Sequence, residues 1–293
     1  MATPIRFALP AAVGIAALGL AAAGCSSSSQ RPVSPAEVRA VKAAALPSDP
    51  ADPAWGRMPV HTAQLLPQDV VEPRLLAPST AALEVQAITD GTSLAFRLAW
   101  PAAARSDEVL PALFSDACAV QLPAGAGADV PNPMMGEAGQ PVEISYWRAA
   151  WQATVDGRPD TLAALYPNSR VDAYPFESAS LAAGSPEQAA MAKRYAPARA
   201  LGNAMAGPRT SPVQDLVATG PGTLRPAERS ISSGGGKATP QGWAVVIVRP
   251  LPRGARPGGR SQVAFAVWQG QRGEVGARKM RTGWIPLALE GGP

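Results

Sequence analysis

Short segments in which apolar and polar residues alternate recur along this chain of 293 residues. Such a period of two is typical of β-strands, whose side chains point to opposite faces of a sheet. The segment 84–88 alternates, Asp90-Gly91 follows as a turn, and 94–100 alternates again, which predicts a β-hairpin. Further strands are predicted over 114–123, 142–151, 243–249, 262–268 and 283–287. The pattern predicts an all-β fold, an antiparallel β-sandwich with short helices in its loops.

Helical periodicity is scarce by comparison. Residues 35–46 (PAEVRAVKAAAL) predict one short helix that ends at Pro47. Residues 232–236 (SSGGG) indicate a flexible loop. The chain has 32 prolines and 28 glycines, which agrees with many short strands joined by turns.

The charge and the residue inventory exclude several functions. The formal net charge is +4, and no cluster of Lys and Arg with interleaved aromatic residues occurs, so nucleic-acid binding is not expected. We find no general acid–base pair, no nucleophile constellation and no phosphate-binding loop, so the chain is not expected to be an enzyme by itself.

The N-terminal residues 1–24 are typical of an export signal, with one charge at Arg6 and an apolar run that ends in small residues. The sequence 22–25 (AAGC) is typical of a lipobox, with Cys25 as the lipidated residue. Residues 25–50 are then a tether and N-terminal segment, and 51–293 form the main domain. A lipid anchor places the protein on the periplasmic face of a bacterial membrane. Cys118, the other of two cysteines, is left without a partner and is expected to be a small buried residue.

A pair of methionines lies in a Pro/Gly turn between two predicted strands, as Pro133-Met134-Met135-Gly136. A methionine held in such a turn can offer a soft thioether to a metal. With the strands around it, this turn resembles the haem-b-binding gamma subunit of ethylbenzene dehydrogenase and its relatives in the DMSO-reductase type II family. Other pieces follow in the family's order over roughly 50–290: the hairpin that ends with 96–100, and then 200–203, 212–216, 222–224, 243–251, 264–270 and 276–280.

The resemblance implies one haem b with a methionine and a lysine as axial ligands. It places the methionine at Met135, with Met134 as the alternate, and the lysine at Lys279, with Lys237 as the alternate. The haem is expected between loops at one end of the sandwich. The chain agrees in what it lacks: no C-x-x-C-H motif for covalent haem is present, and its one histidine cannot supply a bis-histidine site.

Four further residues are candidates for the walls of a haem pocket. Arg148 and Arg278 are candidate partners of the haem propionates, whereas Tyr146 and Trp147 are expected in the core or the pocket wall. The resemblance also implies an electron-transfer role. The subunit receives electrons from the iron–sulfur subunit of a molybdopterin enzyme of the DMSO-reductase type II family and exchanges them with a cytochrome partner.

The predicted sandwich also resembles carbohydrate-binding modules of the family-nine and DOMON-like kind. A lipoprotein of that kind would bind a sugar through tryptophan side chains. This alternative predicts a colourless protein that needs neither Met135 nor Lys279.

Overall fold

The computed structural model of the protein describes residues 36–291, with gaps at 128, 160–163, 165, 169–181, 183, 196–197, 199–200, 204–205 and 207–208. The predicted export signal and the lipidated Cys25 lie outside the described residues, so both stay predictions. In the described part of the chain, no helix is long and apolar enough to cross a membrane.

The described residues form two packed β-sheets. The first sheet contains β1 (Val38–Lys42), β2 (His61–Gln64), β4 (Ala82–Thr89), β5 (Ser93–Pro101), β10 (Ser233–Ala238), β11 (Gly242–Pro250) and β14 (Ile285–Leu289). The second contains β3 (Leu66–Pro67), β6 (Ala117–Pro123), β7 (Val142–Arg148), β8 (Val213–Ala218), β9 (Arg225–Pro226), β12 (Arg260–Trp268) and β13 (Met280–Arg281). Most neighbours are antiparallel, whereas β1 runs parallel to both β4 and β14.

Strand β12 joins the two sheets. Its first half pairs with β14 and its second half pairs with β6 and β13. The hydrogen-bonded order therefore runs continuously as β10-β11-β5-β4-β1-β14-β12-β6-β7-β8-β9. A strand that changes sheets forms a corner of the sandwich, so β12 fixes the position of one sheet against the other.

The main core lies between the two sheets. Phe96 from the first sheet meets Phe265 from the second, with ring centroids 6.0 Å apart in an edge-to-face contact. Trp147 is fully buried between Trp100 and Trp243, at centroid distances of 6.3 and 5.3 Å. Cys118 is fully buried in the same core. The predicted antiparallel β-sandwich is confirmed, and so is the burial of Cys118.

The helices are short, as predicted. α1 (Ala149–Val155) follows β7 directly, and α2 (Pro186–Tyr195) lies between β7 and β8. Two single turns of 3-10 helix occur at Pro53–Arg57 and Gly270–Arg272. The strand predicted over 142–151 therefore ends at Arg148, where the chain turns into α1.

Two local predictions were wrong. The helix predicted over 35–46 is instead strand β1, because Val38 and Ala40 alternate into the core and the backbone pairs with strands on both sides. Pairing with two strands outweighs the helix propensity of a short alanine-rich segment. The sheet thus includes chain that precedes the predicted domain start at 51.

All but the first residue of the loop predicted at 232–236 belongs to strand β10, which pairs with β11 at the edge of the first sheet. Gly236 passes so close to Trp147 that a Cβ there would overlap the indole ring. Its N–H donates to Gln152 Oε1 over 2.9 Å. Gly236 thus serves close packing on a tryptophan, and the sequence does not distinguish this role of glycine from flexibility.

Candidate functional site

Strands β6, β7 and β12 of the second sheet have two apolar faces. The side chains that point into the sandwich core are large or tightly packed: Cys118, Val120, Trp147, Phe265 and Val267. The side chains on the outward face form a second apolar cluster: Ala117, Ala119, Val142, Ile144, Leu216, Ala218, Ala266 and Trp268. An outward sheet face is usually polar, so an apolar outward face indicates that something covers it.

The outward face contains a recess with a floor of alanines. Ala266 on β12 pairs with Ala119 on β6, and Ala119 pairs with Tyr146 on β7. On the other side, Ala266 pairs with Arg281 on β13. Paired residues point to the same face of a sheet, so Ala266 and Ala119 lie between two long side chains. These small residues leave a cavity of about 460 Å³ above the sheet.

Loops form the walls of this cavity, as expected, but its floor is the face of the sheet. One wall comes from the loop that leads to β7, and another from the loop that leads to β13. The lining side chains include Gln68, Val71, Met134, Met135, Ile144, Tyr146, Arg148, Leu224, Trp268 and Lys279. The lining is mainly apolar, which suits a largely hydrophobic ligand.

Residues 131–136, which we call the methionine turn, are held by their own hydrogen bonds. Met134 N–H donates to Asn132 Oδ1 over 2.9 Å, and Gly136 N–H donates to Asn132 O over 2.8 Å. Met135 has a φ of 71°, and Gly136 has a φ of 77°. A Cβ at Gly136 would approach Gln140 O to 2.8 Å, so only glycine fits there. The turn thereby directs both methionines toward the cavity.

The backbone of Met135 lies in the left-handed region, which side chains other than glycine rarely adopt. Its carbonyl accepts a hydrogen bond of 2.8 Å from Gly220 N–H in the loop between β8 and β9. The Met135 side chain packs against the outward apolar cluster. Unfavourable backbone geometry of this kind persists where surrounding contacts enforce it, and it is frequent at functional sites.

Lys279 enters the cavity from the opposite loop. Its Nζ lies 5.3 Å from the centroid of the Trp268 ring. Within the described part of the chain, no acceptor or carboxylate partners this amine. Burial, and then the neighbouring Arg281 charge, lower the pKa of Lys279 from 10.5 to about 8. A lysine in this setting is neutral far more often than a surface lysine.

Two arginines, Arg148 and Arg281, belong to the cavity lining and are called the rim arginines, whereas Arg278 precedes Lys279 outside the lining. The Nε atoms of Arg148, Arg278 and Arg281 are buried and have no hydrogen-bond partner among the described residues. Arg281 comes only to 4.0 Å from Asp69 Oδ1. Buried donors normally have acceptors, so these groups point to an anionic ligand edge.

A cluster of three aromatic side chains includes two residues of the cavity lining, Tyr146 and Trp268. The Tyr146 ring makes edge-to-face contacts with Trp268 at 5.3 Å and with Trp151 at 5.5 Å. Arg209 stacks over Trp151 at 3.7 Å from the ring centroid. Burial raises the pKa of Tyr146 to about 12, so its hydroxyl stays protonated at neutral pH.

The structure brings together most of the residues proposed from the sequence. Met134, Met135, Tyr146, Arg148 and Lys279 all line the cavity. Arg278 precedes Lys279 but its side chain is not part of the lining. The other two candidates are elsewhere.

Trp147 points into the sandwich core, because adjacent residues of a strand face opposite sides. Lys237 lies on β10, where its Nζ binds Asp49 Oδ2 over 2.6 Å at the exposed surface. It is remote from the cavity lining. The histidine, His61, is largely buried in β2 and also lies outside the lining.

Sequence reasoning missed the alanine floor, Gln68 and Arg281. The alanines left a signal, since 117–119 and 264–266 both have alanine at every second position within a strand. Gln68 left none: its Nε2 donates to Ala277 O over 3.1 Å and its N–H donates to Lys279 O over 2.9 Å. It supports the Lys279 loop through contacts between distant parts of the chain.

Together these groups fit a flat apolar ligand with an anionic edge and a metal that accepts a thioether and a neutral amine. Among the described residues, no group of three His, Cys, Asp or Glu side chains could hold a bare metal ion. The donor set of the cavity is thus Met134, Met135 and Lys279.

Solved structures with a similar chain path include two of a carbohydrate binding module family 9 from Caldicellulosiruptor kristjanssonii. The cellotriose complex has 9% identity and a TM-score of 0.41, covering 87% of this chain and 94% of that chain. The glucose complex has 8% identity and a TM-score of 0.36, covering 87% and 96%.

Sequence comparison finds a protein of Haloferax mediterranei that is named as a respiratory nitrate reductase heme subunit. It is 24% identical over 281 residues, which cover 94% of this chain and 80% of that protein. The family described as Ethylbenzene dehydrogenase matches residues 52–280, which is well over half of the chain. This chain belongs to the ethylbenzene dehydrogenase family.

Proposed function

We propose that this protein is an electron-transfer subunit that binds one non-covalent haem b in the cavity on the second sheet. Lys279 carries the proposal: it lies in an apolar cavity with no acceptor among the described residues, and it faces the same space as two methionines. The relative named as a nitrate reductase heme subunit supports a haem cofactor.

The lowered pKa of Lys279 reduces the free-energy cost of the deprotonation that must precede iron binding. Only a neutral amine binds iron. Deprotonating an ordinary lysine at pH 7 costs about 5 kcal/mol, at roughly 1.4 kcal/mol for each pH unit below its pKa. With a pKa of about 8, the cost falls to about 1.4 kcal/mol. The surroundings of Lys279 in the cavity thus remove most of the free-energy cost of deprotonating a lysine ligand.

Met135 is the proposed second ligand, with Met134 as the alternate. Both line the cavity, and Met135 combines a rigid turn with a strained backbone that several hydrogen bonds maintain. A thioether ligand favours the reduced metal and raises the reduction potential relative to histidine. We assign the partnerless Nε groups of Arg148 and Arg281, both in the cavity lining, to the carboxylates of the ligand.

When bound, haem supplies the one-electron redox step. The chain's own residues hold and orient it: alanines form a flat floor, aromatic rings exclude water, and the rim arginines neutralise its anionic edge. We propose that the partners are the iron–sulfur and molybdopterin subunits of a DMSO-reductase type II enzyme and a cytochrome. The relative is named as a nitrate reductase heme subunit and the family is named for a dehydrogenase, so both names are those of oxidoreductases, which supports this proposal.

The visible spectrum of protein expressed with a haem supply tests the proposal. We expect a low-spin b-type spectrum and haem that acid acetone extracts. Met135→Ala and Lys279→Ala should each give high-spin haem or none. Lys279→Arg should behave like Lys279→Ala, because a guanidinium keeps its proton and cannot coordinate.

The matched control is Lys237→Ala, since Lys237 is bound to Asp49 at the surface. Its spectrum should equal that of the wild type. A folded wild-type protein that stays colourless, and that binds an oligosaccharide instead, would overturn the haem proposal in favour of a carbohydrate-binding module.

A further inference from the structure

The methionine turn is tied to the segment that carries Lys279. The indole N–H of Trp284 donates to Pro131 O over 2.6 Å. From the floor of the cavity, Gln121 Nε2 donates to Pro133 O over 2.9 Å. Two side chains thus donate hydrogen bonds to two carbonyls of one short turn. One of these donors, Trp284, lies five positions after Lys279.

The segment from Lys279 to Trp284 is itself fixed to β12. Arg281 pairs with Ala266 within the sheet. Beyond that pair, Thr282 N–H donates to Phe265 O and Phe265 N–H donates to Thr282 Oγ1, each over 2.9 Å. Because this segment cannot shift along β12, the indole of Trp284 is a fixed point from which the turn is held.

The turn needs such support because of its backbone. Met135 is held at a φ of 71°, which isolated chains rarely adopt. On the far side, Gly220 N–H donates to the Met135 carbonyl. External bonds thus hold the turn near both ends, and the Trp284 bond is the one that connects it directly to the lysine segment.

We infer that Trp284 is a positioning residue that fixes the distance between the methionine turn and Lys279, with Gln121 as its counterpart on the cavity floor. The inference rests on the proposed function, because it assigns these bonds to holding two iron ligands at a set separation. A pre-organised pair of ligands retains the metal better than a mobile pair, since no ordering is needed on binding.

Trp284→Phe tests the inference, because it keeps an aromatic ring and removes the N–H donor. Trp55→Phe is the matched control: the Trp55 indole also donates to a backbone carbonyl, Asp49 O, over 3.0 Å, but in another part of the fold. In the haem-free protein, we expect faster hydrogen exchange at the Met134 and Gly136 amides in the first variant only. The loss of one neutral hydrogen bond should increase the exchange rate of these amides roughly fivefold to tenfold.

In the haem-loaded protein, carbon monoxide should displace the methionine ligand of the reduced form faster in Trp284→Phe than in the wild type. The expected increase in rate is again roughly fivefold to tenfold. The near-infrared sulfur-to-iron charge-transfer band of the oxidised form should weaken. Gln121→Leu should shift both measurements in the same direction, and it replaces Trp284→Phe if that variant does not fold.

Equal exchange rates and equal displacement rates in Trp284→Phe and Trp55→Phe would overturn the inference. The exchange experiment needs no cofactor, so it is separate from the proposed function. A wild-type protein without a low-spin haem spectrum defeats the haem proposal, and then the exchange rates alone decide whether Trp284 positions the turn.

Discussion

The two faces of β6 and β7 differ sharply although they are built from the same strands. On the inward face, Cys118 pairs with Trp147, and both side chains are fully buried. On the outward face, the adjacent pair is Ala119 and Tyr146, beside an open cavity. One face is closed by the protein's own side chains, and the other is apolar but leaves room.

The difference shows how a sheet can hold an apolar ligand without weakening its core. A recess cut into the inward face would create a buried void, which destabilises the fold in proportion to its volume. The outward face has no such constraint, since small residues there remove no core packing. The same kind of substitution should therefore change the free energy of unfolding more on the inward face than on the outward face.

The largest expected effect comes from truncating neighbouring aromatic residues on opposite faces. Trp147→Ala should lower the free energy of unfolding by about 3–5 kcal/mol, because it leaves a cavity among Trp100 and Trp243. Tyr146→Ala opens an existing cavity and should cost about 1–2 kcal/mol. Urea unfolding of the haem-free variants measures both, and equal losses would show that the outward face is part of the core.

A second test uses pH, because a lysine on an ordinary outward sheet face would keep its normal pKa. In the folded protein the pKa of Lys279 is lowered to about 8 from its ordinary value of 10.5. Between these pH values the unfolded chain holds the proton more often, so the free energy of unfolding should rise with pH. The free energy of unfolding should rise by at most about 3.5 kcal/mol, at roughly 1.4 kcal/mol for each pH unit.

The comparison protein for this test is Lys279→Met, which cannot titrate. The difference between wild type and variant isolates the lysine from Tyr146, whose raised pKa acts in the opposite direction at higher pH. Denaturant midpoints measured from pH 7 to 10 give the difference. Parallel pH profiles would mean that water reaches the Lys279 amine freely.

The smallest effect should come from filling rather than emptying the two faces. Cys118→Phe forces extra volume into the closed core and should cost about 1–3 kcal/mol. Ala119→Phe occupies the recess and should change the free energy of unfolding by about 1 kcal/mol or less, yet it should abolish haem uptake. Haem titration followed by denaturation of the haem-free form checks both. Normal haem uptake by Ala119→Phe would place the ligand elsewhere.

Local pattern was enough to predict the main strands. The β4–β5 hairpin follows from alternation on both sides of Asp90-Gly91, and β6, β11 and β12 likewise follow from alternation. A period of two identifies these segments as strands because successive side chains of a strand point to opposite faces of the sheet. Where the period was ambiguous, as in β1 and the glycine-rich β10, pairing with neighbouring strands determined the outcome.

The sequence by itself determined the alternating strands, the methionine turn with its glycine and the presence of a lysine near the last strand. Only the tertiary structure decided that Ala119 and Ala266 pair to form a floor, that Lys279 rather than Lys237 reaches the cavity, and that Trp284 meets Pro131. Alternation of apolar and polar residues indicates only which of the two sheet faces each side chain shares with its neighbours along the strand. Which residues meet on that face depends on strand order and register, which arise from contacts between distant parts of the chain.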